Sequence, residues 1–354
     1  MNPPKPTAAF SHKATIASFI MAVSVMYIHA NNLVYYGLTT ETGGTAGLAV
    51  RFCSGLVGSM AVPFFFMLSA YWLFRMDISG AAVRDTLAGK LRRKLRTVVL
   101  PYLLWNAFGT VFYMAITHVP ALAAMMNNGE AIPVTPGNLL AGVFLYKYYY
   151  TFWYLKDLIV MTALSPLLVP VLRRRWSTAL VWAAVLAVNF LPIDLKIVQS
   201  PSLVSFYLGA YLAVYHRDMF EETGRADKRF MLLFAAFCVV RWLNVSVLAD
   251  ICLWLSPLAL WKFLDAVLPQ RLLAAEPCWF VRQSFFLYAV HAIPITVVQH
   301  LFVRQGAGIA WVAVSYLLTP VVMLGIAYAA ARLVNGVAPR FYALICGGRS
   351  NQKC

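Results

Sequence analysis

Ala14 to Asn32 reads ATIASFIMAVSVMYIHANN, a run with no charge from Ala14 to Ile28 that closes on His29. Crossing a bilayer takes roughly 20 apolar residues in a helix, and this stretch with its flanks is that long. Lys13 stands in front of it much as the basic start of a signal peptide would. No small-x-small cleavage site closes the run, so the segment reads as an uncleaved first span.

The same texture recurs along all 354 residues: 61% are hydrophobic, 14% aromatic and 12% charged. Soluble domains carry about 25% charged residues. Helices apolar all round face lipid and one another, so the chain reads as an all-α, polytopic transmembrane protein of about ten spans. They are placed near Ala14 to Tyr35, Ser54 to Phe74, Val98 to His118, Phe152 to Leu172 and Trp176 to Pro192. Five more follow near Leu203 to Tyr215, Phe230 to Val247, Ile251 to Leu268, Ser284 to Phe302 and Ile309 to Leu333. No separate soluble domain is legible, and residues 1–354 read as one transmembrane domain with a tail at 1–13 and another at 335–354.

The charges orient it. Cytoplasmic loops collect Lys and Arg, and with the N-terminus inside, 23 of the 29 basic residues fall on inner segments and 4 on outer ones. Both ends are therefore expected in the cytoplasm. A net charge of +16 gathered in clusters between apolar runs fits topology rather than nucleic-acid binding. The six cysteines show no CxxC pair and no metal-ligand spacing, so no metal site and no disulfide framework are expected.

Ionisable groups within spans are costly and mark function by default. His29 is expected roughly two-thirds of the way across the first helix, from the ~1.5 Å rise per residue. A neutral imidazole there suits a general base for an attacking hydroxyl, while the plainer role is a hydrogen bond between helices. His291 is expected mid-helix in the ninth span at comparable depth, and a polar cavity shared with His29 is one reading of the pair. Lys156 and Asp157 point about 100° apart on the fourth span and so need partners on other helices. Asp157 either orients a histidine or neutralises Arg241. The basic cluster from Arg84 to Arg96 is topogenic and is also suited to the phosphates of a nucleotide-bearing donor. The outer run Tyr148-Tyr149-Tyr150 reads as an interface anchor or as a platform for a sugar ring.

Taken in order, these elements resemble the acyltransferase-3 family of integral membrane acyltransferases. The resemblance rests on Val25-Met26-Tyr27-Ile28-His29, on Pro63 to Tyr71, and on the basic stretch from Lys90 leading into Leu100-Pro101-Tyr102-Leu103-Leu104-Trp105. Trp153 to Leu158 and Ser284 to His291 complete it. It implies transfer of an acyl group, usually acetyl, from a cytoplasmic coenzyme A thioester to a hydroxyl of a cell-surface or lipid-linked carbohydrate, at a bacterial inner membrane. The donor is then a substrate, with no cofactor permanently bound. The family's catalytic histidine carries over to His29, with Asp157 and His291 as further candidates. Donor contacts are expected at Arg75, Lys90, Arg92, Arg93 and Arg96. Acceptor and oxyanion contacts are expected at Ser69, Asn106, Trp153, Tyr154, Lys156 and Tyr288. Two positions depart from the pattern: Ala70 stands for a glycine, and Ser18 for a first-helix arginine whose contact then falls to Lys13 or Arg75. A transporter or flippase of a glycan intermediate would share the span count, but the halves show no internal repeat.

Overall fold

The computed structural model describes residues 3–126, 130–190, 198–224 and 227–348, and within them the chain is helical with no strand. The principal helices in chain order are α1 (Ala8–His29), α2 (Ala61–Phe74), α3 (Val83–Lys94), α4 (Leu100–Thr117), α5 (Pro136–Leu145), α6 (Trp153–Leu164) and α7 (Arg175–Phe190). They continue with α8 (Ser200–Tyr215), α9 (Lys228–Trp242), α10 (Ser246–Val267), α11 (Ser284–Val290), α12 (Ala292–Val303) and α13 (Ile309–Val337). Lys196, Arg225, Arg349 and Lys353, four of the residues in the charge count, lie outside the described residues, as does the last part of the expected C-terminal tail.

Helix occupies each of the ten expected stretches, but the lengths differ. Six described helical stretches are long and apolar enough to cross a membrane: Ala8–Tyr36, Gly44–Phe74, Val83–Thr117, Tyr150–Leu172, Val247–Val267 and Ile309–Val337. A seventh forms if Val281–Val290 and Ala292–Val303, bent by 72° at their junction, count as one crossing. The helices α7, α8 and α9 have 16, 16 and 15 residues. At the usual rise that is about 24 Å, short of a full hydrocarbon core.

Both ends of the first helix differ from those the sequence predicts. The first helix starts at Ala8 rather than Ala14, so Lys13 is inside it and fully buried. It ends at His29 rather than Tyr35 because two asparagines offer the chain other hydrogen bonds. Asn31 Oδ1 accepts from the Leu33 amide at 3.2 Å, while Asn32 Nδ2 donates to the Val312 carbonyl at 3.1 Å and to Ser315 Oγ at 2.9 Å. The ninth span is likewise not continuous, because it breaks at His291. Pro294 has no amide to offer the carbonyl of Val290, and a proline ring in that place forces a kink.

The helices group into two compact units that interleave along the chain. One comprises Met1–Met21, Ser59–Lys94 and Asp157–Val281. Here α8 packs along α2 at Gly209, where a Cβ would run into the carbonyl of Met67. Lys90 Nζ reaches from α3 to the carbonyls of Trp72, Leu73 and Arg75 at 2.9, 2.9 and 3.0 Å, so all three of its protons cap the end of α2. Just beyond, Arg75 Nε pairs with Glu221 Oε1 at 2.6 Å and Nη2 with Oε2 at 3.0 Å, and Tyr71 donates to the same carboxylate. Burial alone would raise the Glu221 pKa, yet the guanidinium and the phenol hold the carboxyl below its ordinary range. Around Phe10, Phe64, Tyr71 and Phe220 lies Trp261, with the Lys13 ammonium 4.0 Å from its ring centre. Lys13 is ion-paired to Asp265 at 2.7 Å, and Lys262 approaches the other oxygen of that carboxylate at 3.9 Å.

The second unit comprises Ala22–Gly58, Leu95–Lys156 and Arg282–Cys354. Its long helix α13 packs on Gly44–Val50 and on α12, and α4 packs on α5. Close approach is again set by glycine: at Gly142 a Cβ would strike the side chain of Thr110, and at Gly109 the ring of Tyr149. This unit holds both His29 and His291.

Candidate active site

His29 is the last residue of α1, and Gln299 of α12 holds its carbonyl, the amide donating to His29 O at 3.2 Å and to Asn31 O at 3.3 Å. The terminal carbonyls of a helix need such donors, so the position of the imidazole is fixed by the backbone that carries it. Its Nδ1 lies 3.2 Å from the hydroxyl of Tyr150. The ring centre of His291 is 5.0 Å away with the planes inclined at 40°, and the shared site expected for the two histidines is on this geometry a direct ring contact.

His291 sits at the corner between α11 and α12 and is fully buried. Its Nδ1 is 2.6 Å from the carbonyl oxygen of Tyr288. A carbonyl only accepts, so Nδ1 carries the proton and, in the neutral ring, Nε2 is a bare acceptor. That Nε2 is enclosed and has no hydrogen-bond partner among the described residues. An unsatisfied buried acceptor of this kind costs about 1–3 kcal/mol, which makes it a place for a hydroxyl or water proton.

The chain from Tyr149 to Tyr154 forms the facing wall and is tied to α11 in both directions. Tyr149 donates to the Ala289 carbonyl at 2.5 Å, and Tyr288 donates to the Thr151 carbonyl. Phe152 and Tyr154 lie with ring centres 5.5 and 5.7 Å from that of Tyr288. The three tyrosines read as one aromatic run therefore differ: Tyr149 is buried structure, whereas Tyr150 is 55% exposed and meets His29. No helical or strand period marks this turn, and the partner of His29 was hidden for that reason. The Oγ1 of Thr151 is buried without a hydrogen-bond partner among the described residues.

The structure thus gathers His29, His291, Tyr288 and Tyr154, with Tyr150 added. Trp153 and Lys156 are half-buried on the same helix as Tyr154. Asn106 is buried on α4, its amide nitrogen donating back to the Tyr102 carbonyl at 2.8 Å and its Oδ1 without a hydrogen-bond partner among the described residues. Other candidates belong to the first unit. Ser69 is half-buried on α2. Asp157 is buried and accepts from the Gln199 amide at 2.9 Å and from Ser202 Oγ at 3.3 Å. Arg241, its suggested partner, donates to Ser59 Oγ at 3.0 Å and to the Ala249 carbonyl at 3.4 Å.

Among the expected donor contacts, Lys90 and Arg75 spend their protons on protein groups, while Arg92, Arg93 and Arg96 are exposed. Arg75 also donates to the Pro4 carbonyl at 2.7 Å. Ser18 bonds back to the Ala14 carbonyl at 2.7 Å, and Lys13 is committed to Asp265.

Two imidazoles in contact, one with an open acceptor, walled by tyrosines and carried on apolar helices, make a site in a membrane protein that can accept a hydrogen bond from a hydroxyl. Residues 19–331 match the acyltransferase domain that defines the acyltransferase-3 family, and the chain belongs to that family. It is a multi-pass membrane acyltransferase. It is 23% identical to the succinoglycan biosynthesis protein ExoH of Rhizobium meliloti (strain 1021), across 83% of this chain and 80% of that protein. No solved structure matches it.

Proposed function

We propose that this protein is an O-acyltransferase that moves an acyl group, acetyl in the simplest case, from acyl-coenzyme A to a hydroxyl of a cell-surface or lipid-linked carbohydrate. The observation that carries the reading is the His29–His291 contact with its open Nε2, within a chain of the acyltransferase-3 family. The carbohydrate acceptor is supported by the similarity to a succinoglycan biosynthesis protein.

In this mechanism Nδ1–H of His29 donates to the Tyr150 hydroxyl, which leaves Nε2 of His29 as the base. A neighbouring hydroxyl of the acceptor sugar donates to Nε2 of His291, and the attacking hydroxyl passes its own proton to Nε2 of His29 as its oxygen attacks the thioester carbonyl. The resulting oxyanion needs a donor in a water-poor site, for which the buried Thr151 hydroxyl is at hand. Collapse breaks the carbon–sulfur bond, and the imidazolium of His29 returns its proton to the departing thiolate. The exposed Arg92, Arg93 and Arg96 take the donor's phosphates. In the ten-span reading with both ends in the cytoplasm, at a bacterial inner membrane, the excess of Lys and Arg on the inner segments supports a position for that cluster on the donor's side.

The test uses the full chain in detergent or vesicles with acetyl-coenzyme A labelled in the acetyl group and fractionated glycans as acceptors. Label appearing in an alkali-labile ester on a glycan, with coenzyme A released in equal amount, is the expected result. Donor left intact with every glycan class, while a glycan intermediate crosses the vesicle membrane, overturns the reading in favour of a transporter.

A further inference from the structure

The first unit carries a cleft of about 290 Å³ between α7 and α8 that takes no part in the chemistry above. Its floor is aromatic: Trp182 meets Tyr211 at 5.9 Å between ring centres, Tyr211 meets Tyr215 at 5.3 Å, and His216 lies 5.1 Å from Tyr211. These rings are fixed in place, since Tyr215 donates to the Leu172 carbonyl at 2.6 Å and Tyr211 shares a hydrogen bond with His216 at 3.1 Å. At the mouth stands Arg175, exposed, with no hydrogen-bond or ionic partner among the described residues.

The charge around that mouth is mostly of one sign. Arg174 is exposed next to Arg175, Arg173 donates to the Ile78 carbonyl at 2.8 Å, and Arg217 follows His216. Asp218 is the one acidic neighbour within two residues of the cleft, and Glu221, the next carboxylate, is taken by Arg75. Away from the mouth the surface changes character. Beside the cleft, α7 exposes Trp176 (61%), Ala179, Leu180 (62%) and Ala183, an apolar strip running along the helix. A cationic mouth, an aromatic floor and an apolar strip in succession match an amphiphile whose head is an anion. Because α7 is one of the apolar helices, that strip is lipid-facing surface and the cleft opens onto the bilayer, where a phospholipid rather than a nucleotide is the anion at hand.

We propose that this cleft binds an anionic phospholipid, its phosphodiester on the guanidinium of Arg175, its glycerol region on the Trp182–Tyr211–Tyr215 floor, and its acyl chains along α7. Basic clefts between membrane helices are suited to such headgroups, and each arginine at the interface strengthens the attraction about fivefold. The aromatic floor adds preference for an interfacial group that is apolar at one end and wet at the other.

The test is native mass spectrometry of the full-length protein in detergent, offered equal amounts of phosphatidylglycerol and phosphatidylcholine with identical acyl chains. Phosphatidylglycerol is retained in preference, about fivefold less of it remains bound in Arg175→Gln, and Arg175→Lys keeps most of it. Trp182→Ala weakens retention of both lipids. Arg304→Gln, which removes an equally exposed charge elsewhere, changes nothing. Equal retention by Arg175→Gln and the unaltered protein overturns the proposal, as does an equal loss in Arg304→Gln. Displacement of the lipid by inorganic phosphate or by adenosine bisphosphate also overturns it, by assigning the cleft to a free anion or a nucleotide. The lysine variant and the Arg304 control keep a folding defect from passing as lost binding.

Discussion

Two regions of this protein bury ionisable side chains on apolar helices, and they do so to different ends. In one, Lys13 and Asp265 are each fully buried and joined at 2.7 Å, with Lys262 beside them and the ring of Trp261 against the ammonium. In the other, His29 and His291 touch without satisfying each other, and one nitrogen faces no partner. The first arrangement answers its charges with other charges and a ring, which is what stability asks of a buried ion. The second retains an open acceptor at an energetic cost, which is what binding a hydroxyl asks. Burial of an ionisable group in a membrane helix is thus no sufficient sign of catalysis.

Replacing one member of each pair separates the two. His29→Gln keeps the size of the side chain but removes the proton acceptor, and the acyl-transfer rate falls about 100- to 10,000-fold with the unfolding temperature in detergent unchanged. Asp265→Ala does the reverse: it strands a buried ammonium, costs about 3–5 kcal/mol of stability, and leaves the rate per folded molecule near that of the unaltered protein. The double change Lys13→Met with Asp265→Leu restores most of the stability, since an apolar pair of similar volume replaces the ions. If Asp265→Ala stayed fully stable, the contrast between the regions would fail.

A smaller version of the same contrast lies within the basic segment. Lys90 is spent on three carbonyls at the end of α2, so Lys90→Met lowers stability by about 1–3 kcal/mol and leaves KM for acyl-coenzyme A unchanged. Arg92→Gln or Arg93→Gln raises that KM about tenfold with stability unaltered. Steady-state kinetics beside thermal unfolding reads both. The smallest effect is expected from Tyr150→Phe, which removes one hydrogen bond to His29 and lowers kcat about fivefold.

Much of the architecture was legible in the sequence because apolar runs and basic loops act through composition, which needs no contact to be seen. The all-helical, multi-pass character and the family followed from those runs and from the order of His29, Pro63 to Tyr71, Leu100 to Trp105 and Ser284 to His291. The ends of helices were less legible, because they depend on single competing hydrogen bonds: Asn31 and Asn32 stop α1, and Pro294 helps to break α11 from α12 at His291. Partners were less legible still. Lys13 reads as a cytoplasmic flank until Asp265, far along the chain, is seen to meet it. Lys90 reads as a phosphate ligand until the end of α2 takes its three protons. Tyr150 reads as one of three alike, and only the fold sets it against His29.

The account turns on two imidazoles serving one acceptor molecule, and a double-mutant cycle on the transfer rate tests this most directly. His29→Gln and His291→Asn are measured singly and together on folded protein with saturating acyl donor. If they act as a unit, the double variant is about as slow as the slower single one, as expected for groups that share one step. Losses that multiply, with the double variant slower by the full product, would mean that the two rings act independently and would contradict the shared site.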